Sequence, residues 1–172
     1  MNRGFVQVYT GNGKGKTTAA IGLAVRAAGA GLRIFFCQFL KSGLFSEIAG
    51  LKKLRKNITV RQFGNDKFVT SIPSKADFSK ARIGFFSAKS AIESGKYDVV
   101  ILDEINHAIS LNIIDLEFLI KVISNKPKFV EIILTGRDAP KEIIEIADLV
   151  TEMIEVKHYY SRGIRARKGI EK

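Results

Sequence analysis

The run GNGKGKTT at 11–18 constrains this chain more than any other feature. It follows a short stretch of aromatic and β-branched residues, FVQVY at 5–9, and opens a segment rich in Ala, Leu and Val. Strand, glycine-rich loop and helix, in that order, form the setting in which backbone wraps a phosphate group. Glycines let successive N–H groups turn inward, and the helix opening near Lys16 adds the positive end of its dipole. Lys16 would set an ammonium on the phosphates, and Thr17 would offer its hydroxyl to a divalent cation. A nucleoside triphosphate is the expected ligand. The spacing departs from the usual G-x-x-x-x-G-K-[ST]. Counting back from Gly15, the first glycine falls due at Thr10, and Gly11 is present instead. The shortened loop weakens an assignment to ordinary phosphoryl transfer.

Strand-like and helix-like segments alternate along the rest of the chain. Strands are expected at 5–9, 33–40 (RIFFCQFL), 58–63 (ITVRQF), 98–102 (DVVIL), 130–134 (VEIIL) and 149–156. Helices are expected at 16–30, 46–55, 76–94, 115–124 and 140–147, and 65–74, with Pro73, is the longest irregular stretch. Continuous apolar strands separated by helices imply a parallel sheet covered on both faces. The expected fold is therefore α/β, with a mostly parallel central sheet of about six strands in a single domain over 1–172.

Apolar residues make up 46% of the 172 positions, enough for one sizeable core. The lone cysteine, Cys37, excludes an internal disulfide framework and a cysteine-cluster zinc site, and reads as an inert buried thiol. No stretch approaches the roughly 20 apolar residues that span a bilayer, and MNRGFVQVYT lacks the pattern of a signal peptide. A cytoplasmic protein without membrane partners is expected. The net charge of +11 calls for an anionic partner, with basic residues gathered at 52–56 and 157–172.

A second acidic element, VVILDE at 99–104, carries Asp103 and Glu104 at the carboxyl end of a strand, where ligands of open α/β sheets bind. Asp103 or Glu104 would hold Mg²⁺ (or Mn²⁺) directly or through water. The turn after 130–134 either brings Arg137 to the same edge or leaves it on the surface; both readings stay open. His107 and His158 read as ordinary polar residues.

Several segments together resemble the P-loop class of ATP:corrinoid adenosyltransferases, the cob(I)yrinic acid a,c-diamide adenosyltransferases. They are TGNGKGKTTAAIGLAVRAAGAG at 10–31, QFLKSG at 38–43, VVILDEIN at 99–106, EIILTGRDAP at 131–140 and ADLVTEMIEVKHYYSRGIRARKGIE at 147–171. The resemblance implies a RecA-like sheet, usually in a homodimer. It implies that a Co(I) corrinoid attacks the 5′ carbon of ATP and that triphosphate leaves, with ATP lying reversed in the loop. Co(I) is itself a strong nucleophile, so no protein base is required. By the same resemblance, Gly11, Asn12, Gly13, Lys14, Gly15, Lys16, Thr17 and Thr18 bind ATP, and Arg137 lies beside them. Lys16 and Glu104 would serve catalysis, and Thr17 and Glu104 would contact Mg²⁺ ahead of Asp103. A reduced flavoprotein normally supplies Co(I), and the basic surface suits an acidic donor. Relatives often carry an N-terminal extension over the corrinoid site; here the first strand starts at about Phe5, so either closure from elsewhere or weaker corrinoid binding is expected. Relatives also commonly have glutamine at the position of Arg167. The main alternative is a P-loop ATPase acting on nucleic acid, but the chain lacks a convincing set of stacking aromatics, so nucleic acid is not the expected partner.

Overall fold

The computed structural model describes residues 2–43, 45–65 and 72–171. Six strands form one sheet: β1 (Val6–Thr10), β2 (Ile34–Phe39), β3 (Ile58–Phe63), β4 (Val99–Asp103), β5 (Glu131–Thr135) and β6 (Leu149–Glu152). Their order is β3-β2-β4-β5-β1-β6, and every neighbouring pair is parallel. Between them run α1 (Lys16–Gly29), α2 (Ser46–Lys53), α3 (Lys75–Glu93), α4 (Ile105–Ser110), α5 (Leu116–Ser124) and α6 (Lys141–Ile146). The arrangement agrees with the expected RecA-like α/β fold. Of the irregular stretch expected at 65–74, residues 66–71 lie outside the described residues.

Strand periodicity explains how the sheet is covered. Successive side chains of a strand point to opposite faces. Phe35, Cys37, Val100, Leu102, Ile132 and Leu134 share one apolar cluster with α3 and α5. Their neighbours Ile34, Phe36, Val99, Ile101 and Ile133 join a second cluster with Ala20, Ala24 and Ala27 of α1 and Ile48 and Leu51 of α2. Central strands buried on both sides are predominantly apolar, which is why β2, β4 and β5 read as near-continuous apolar runs with polar residues at few positions. β6 lies at the edge and pairs only with β1, and its four residues are exposed.

Two local contacts carry stability predictions. On α3, a Cβ at Gly84 would stand 2.7 Å from Cγ and 2.8 Å from Cβ of Phe63 on β3. Those atoms lie at the root of a ring and cannot swing aside. Gly84→Ala should therefore destabilise by about 1–3 kcal/mol in urea titration, despite alanine's better helix propensity. At the start of α3, the Ser74 hydroxyl accepts from the Asp77 N–H, and the Asp77 carboxylate accepts from the Ser74 N–H at 2.8 Å. This reciprocal cap should cost about 1 kcal/mol when Asp77 becomes alanine. Burial pushes the Asp77 carboxyl up, but bonds from Ser74 and from the Asn65 amide outweigh it and leave the pKa below the ordinary value. A carboxyl held low stabilises above its unfolded pKa and loses that contribution as pH falls through its folded one. The stability gap between wild type and Asp77→Ala should therefore narrow in strong acid.

Candidate active site

The phosphate loop joins β1 to α1. Gly11 has φ 92° and Gly15 has φ 122°, backbone conformations that a side chain would strain. Gly15 precedes the first residue of α1, so the positive end of that helix opens at the loop. Lys16 Nζ donates to the carbonyl oxygens of Gly11 at 2.5 Å and Gly13 at 2.7 Å. The lysine thus folds back across the loop. Burial lowers its pKa first, and the nearby Arg137 cation lowers it further.

The acidic element meets the loop because β5 lies between β1 and β4. Asp103 ends β4 and is fully buried. Its Oδ1 accepts from Thr17 Oγ1 at 2.8 Å and from Thr135 Oγ1 at 2.7 Å. Its Oδ2 accepts from Gln38 Nε2 at 2.9 Å, and Gln38 Oε1 accepts in turn from Gln62 Nε2 at 2.9 Å. Burial raises the Asp103 pKa, against the pull of the Lys41 cation. Glu104 follows with φ 64°, which turns the chain out of the strand and into α4. Its N–H donates to Thr135 Oγ1 at 3.0 Å, and its Oε1 accepts from Lys41 Nζ at 2.9 Å. Burial works against the charge of Lys41, but Glu104 and Asp103 outweigh it and raise the lysine's pKa.

A cleft of about 890 Å³ opens over these groups. One wall carries residues 12–18 of the loop; Lys41, Glu104 and Arg137 line it from the strand ends. Glu155, His158, Tyr160 and Glu171 line it from the chain beyond β6. The cleft is large enough for a nucleotide.

The donor set suits a small hard cation. A hydroxyl that donates its one hydrogen keeps its lone pairs, and Thr17 spends its hydrogen on Asp103. The carboxylates of Asp103 and Glu104 supply further hard oxygen and negative charge. Among the described residues, no group of three or more His, Cys, Asp or Glu is arranged to hold a metal alone. A cation here would complete its shell with phosphate oxygens and water, as Mg²⁺ does with nucleotides.

A sequence profile described as "ATP:corrinoid adenosyltransferase BtuR/CobO/CobP" matches residues 2–171. The chain belongs to this family. It is 32% identical to the corrinoid adenosyltransferase of Pseudomonas aeruginosa over 98% of its own length and 84% of that protein's. It is 34% identical to the corrinoid adenosyltransferase of Escherichia coli K12, over 98% of this chain and 86% of the relative. The corresponding figures for corrinoid adenosyltransferase CobA of Salmonella typhimurium are 33%, 98% and 86%.

In this adenosyltransferase, the fold gathers every residue expected at the site onto one edge of the sheet: residues 11–18, Asp103, Glu104 and Arg137. His107 sits on α4 with its Nδ1 3.3 Å from the Ser110 hydroxyl, and His158 lines the cleft and accepts from the Tyr160 N–H at 3.0 Å. Cys37 is buried, and its thiol is pushed up by burial and by Asp103. Sequence reasoning gave no role to Gln38, Lys41 or Thr135. A glutamine inside the apolar strand IFFCQF was a readable signal, since a buried amide needs a partner. Lys41 and Thr135 stand at strand carboxyl ends, where ligands collect.

Proposed function

We propose that this protein, as a member of its family, transfers the 5′-deoxyadenosyl group of ATP to the Co(I) centre of a corrinoid, and that the loop at 11–18 grips the triphosphate that leaves. The observation that carries this is the meeting in one cleft of a cationic loop, Lys14 and Lys16 with Arg137 beside them, and Thr17, whose hydroxyl is bonded to the buried Asp103 behind it. The leaving group is a polyanion, so what the protein must supply is charge complementarity at the far end of ATP from the reacting carbon. Lys16 exchanges its bonds to the Gly11 and Gly13 carbonyls for bonds to phosphate oxygens. Backbone N–H groups and the α1 terminus add fixed positive potential without reorganising. Arg137 faces the same charge. Thr17, Asp103 and Glu104 would hold Mg²⁺ (or Mn²⁺), which when bound neutralises phosphate charge. Asp103, pinned by Thr135 and Gln38, orients Thr17; Lys41 orients Glu104. The remaining task is to align C5′ with cobalt, an effect of orientation.

The same reading extends to partners. Co(I) requires a reductant, and a net charge of +11 fits an acidic reduced flavoprotein. The exposed apolar side chains Leu149, Val150, Ile154 and Val156 along and beyond the edge strand favour a homodimer. No helix among the described residues is long and apolar enough to cross a membrane, and a requirement for ATP fits a cytoplasmic enzyme working as one domain. Nothing in the site favours an ATPase acting on nucleic acid. Incubation with ATP, Mg²⁺ and chemically reduced cob(I)alamin tests the reading: a light-sensitive Co–C product should form, and ATP hydrolysis without one would refute it.

A further inference from the structure

The chain that follows β6 grips the phosphate loop at two points. First, the Met153 carbonyl accepts from the Gly13 N–H at 2.6 Å, and the Met153 N–H donates to the Thr10 carbonyl at 2.9 Å. A Cβ on Gly11 would stand 2.5 Å from the Met153 carbonyl oxygen, and one on Gly13 would stand 2.7 Å from it. These glycines therefore admit a neighbouring backbone as well as shaping the loop. Second, Lys14 Nζ donates to the Ile170 carbonyl at 3.1 Å and lies 3.9 Å from Glu171 Oε1. Between those contacts the chain supplies a wall of the cleft through Glu155, His158 and Tyr160.

Among the described residues, neither apolar cluster of the core includes a member of that wall. Its shape rests on one carboxylate. Glu171 Oε2 accepts from the Arg167 N–H at 2.7 Å and from Arg167 Nε at 3.2 Å. Glu171 Oε1 accepts from Arg167 Nη2 at 3.0 Å and from the Tyr159 hydroxyl. The Glu171 side chain is 12% exposed, although most residues around it in sequence are exposed. Arg167 first, then Tyr159, hold the carboxyl down at about 2, so it is ionised at neutral pH. Charge-assisted bonds of this kind are about twice as strong as neutral ones.

We infer that Glu171 is a positioning residue for ATP: it closes 159–171 into a loop, and Lys14 docks that loop on the phosphate loop as a preformed wall of the nucleotide cleft. The inference rests on the reading of 11–18 as the ATP site. The wall lines the same cleft as Lys16 and Thr17, so it sets how readily ATP enters and stays, while stabilisation of the leaving group is left to the loop itself. A preformed wall lowers the ordering cost of binding.

Steady-state kinetics of Glu171→Gln with varied ATP and saturating cob(I)alamin test this. The KM for ATP should rise about tenfold, equivalent to about 1.4 kcal/mol, with kcat within about twofold of wild type and Tm unchanged. Tyr159→Phe, which removes one bond to the same carboxylate, should shift KM in the same direction by less. Trypsin should cut the variant faster at the exposed Arg162, Arg165 and Lys168, since local opening governs cleavage there. An unchanged KM with faster cleavage would overturn the inference, and so would a joint fall of kcat and Tm, which marks mere structural support. Titration of Lys16→Ala with ATP separates the two readings. Loss of binding there beside an unaffected Glu171→Gln defeats only the role of Glu171, whereas full binding in both defeats the ATP site itself.

Discussion

Lys16→Ala should abolish measurable adenosyl transfer and leave the protein folded. Among the described residues, the ammonium bonds to two carbonyls of its own loop, at Gly11 and Gly13. Both residues belong to a loop that borders an open cleft, where water can replace a lost donor at small cost. The catalytic loss is of another order. Charge builds on the triphosphate as the C5′–O bond breaks, and removing one preorganised donor from such a site typically costs about 10²–10³ in kcat. Arg137 cannot take over, because it approaches from the β5–α6 turn and not from the loop. The measurement is kcat beside a thermal melt: activity should vanish into background while Tm moves by no more than a few degrees.

Asp103→Asn should separate the fold from the chemistry. The buried carboxylate accepts from Thr17, Thr135 and Gln38. An asparagine keeps an oxygen for the two threonines and turns its amide toward Gln38. Gln38 can reverse its own amide to accept, and Gln62, which is only partly buried, adjusts at the end of the chain of bonds. Stability should therefore stay within about 1 kcal/mol of wild type, the more so because burial already disfavours the charge that is lost. Activity should fall about a hundredfold, equivalent to about 3 kcal/mol, and more Mg²⁺ should be needed for half-maximal rate. Asp103→Ala is the contrast: it strands the three donors and should cost about 1–3 kcal/mol for each one left without a partner.

Much of this architecture is legible in the residues because the central strands are buried on both faces. β3 falls at the expected bounds Ile58–Phe63, and α1, β2, β4 and β5 lie within a residue or so of expectation. The exceptions have physical reasons. α4 escaped notice because it is six residues long and begins at the left-handed turn of Glu104, although Ile105, Ala108 and Ile109 show helical spacing. The strand expected at 149–156 stops at Glu152 because the chain then bends onto the phosphate loop, where Met153 bonds to Gly13. No local pattern announces such a contact: Gly11 and Gly13 are explained by phosphate binding alone until Met153 is seen against them. Lys41 and Thr135 were illegible for a related reason, since the strand order that brings β2, β4 and β5 together is a property of the sheet and not of any one segment.

On the proposed reading, the loop grips the leaving group while the reaction occurs at the other end of ATP. Phosphorus NMR of a complete reaction with ATP, Mg²⁺ and reduced cob(I)alamin tests this most directly. Inorganic triphosphate should appear in step with the adenosylated corrinoid, one for one, and both should be lost together in Lys16→Ala. Release of ADP and orthophosphate, or undiminished triphosphate release by Lys16→Ala, would contradict it.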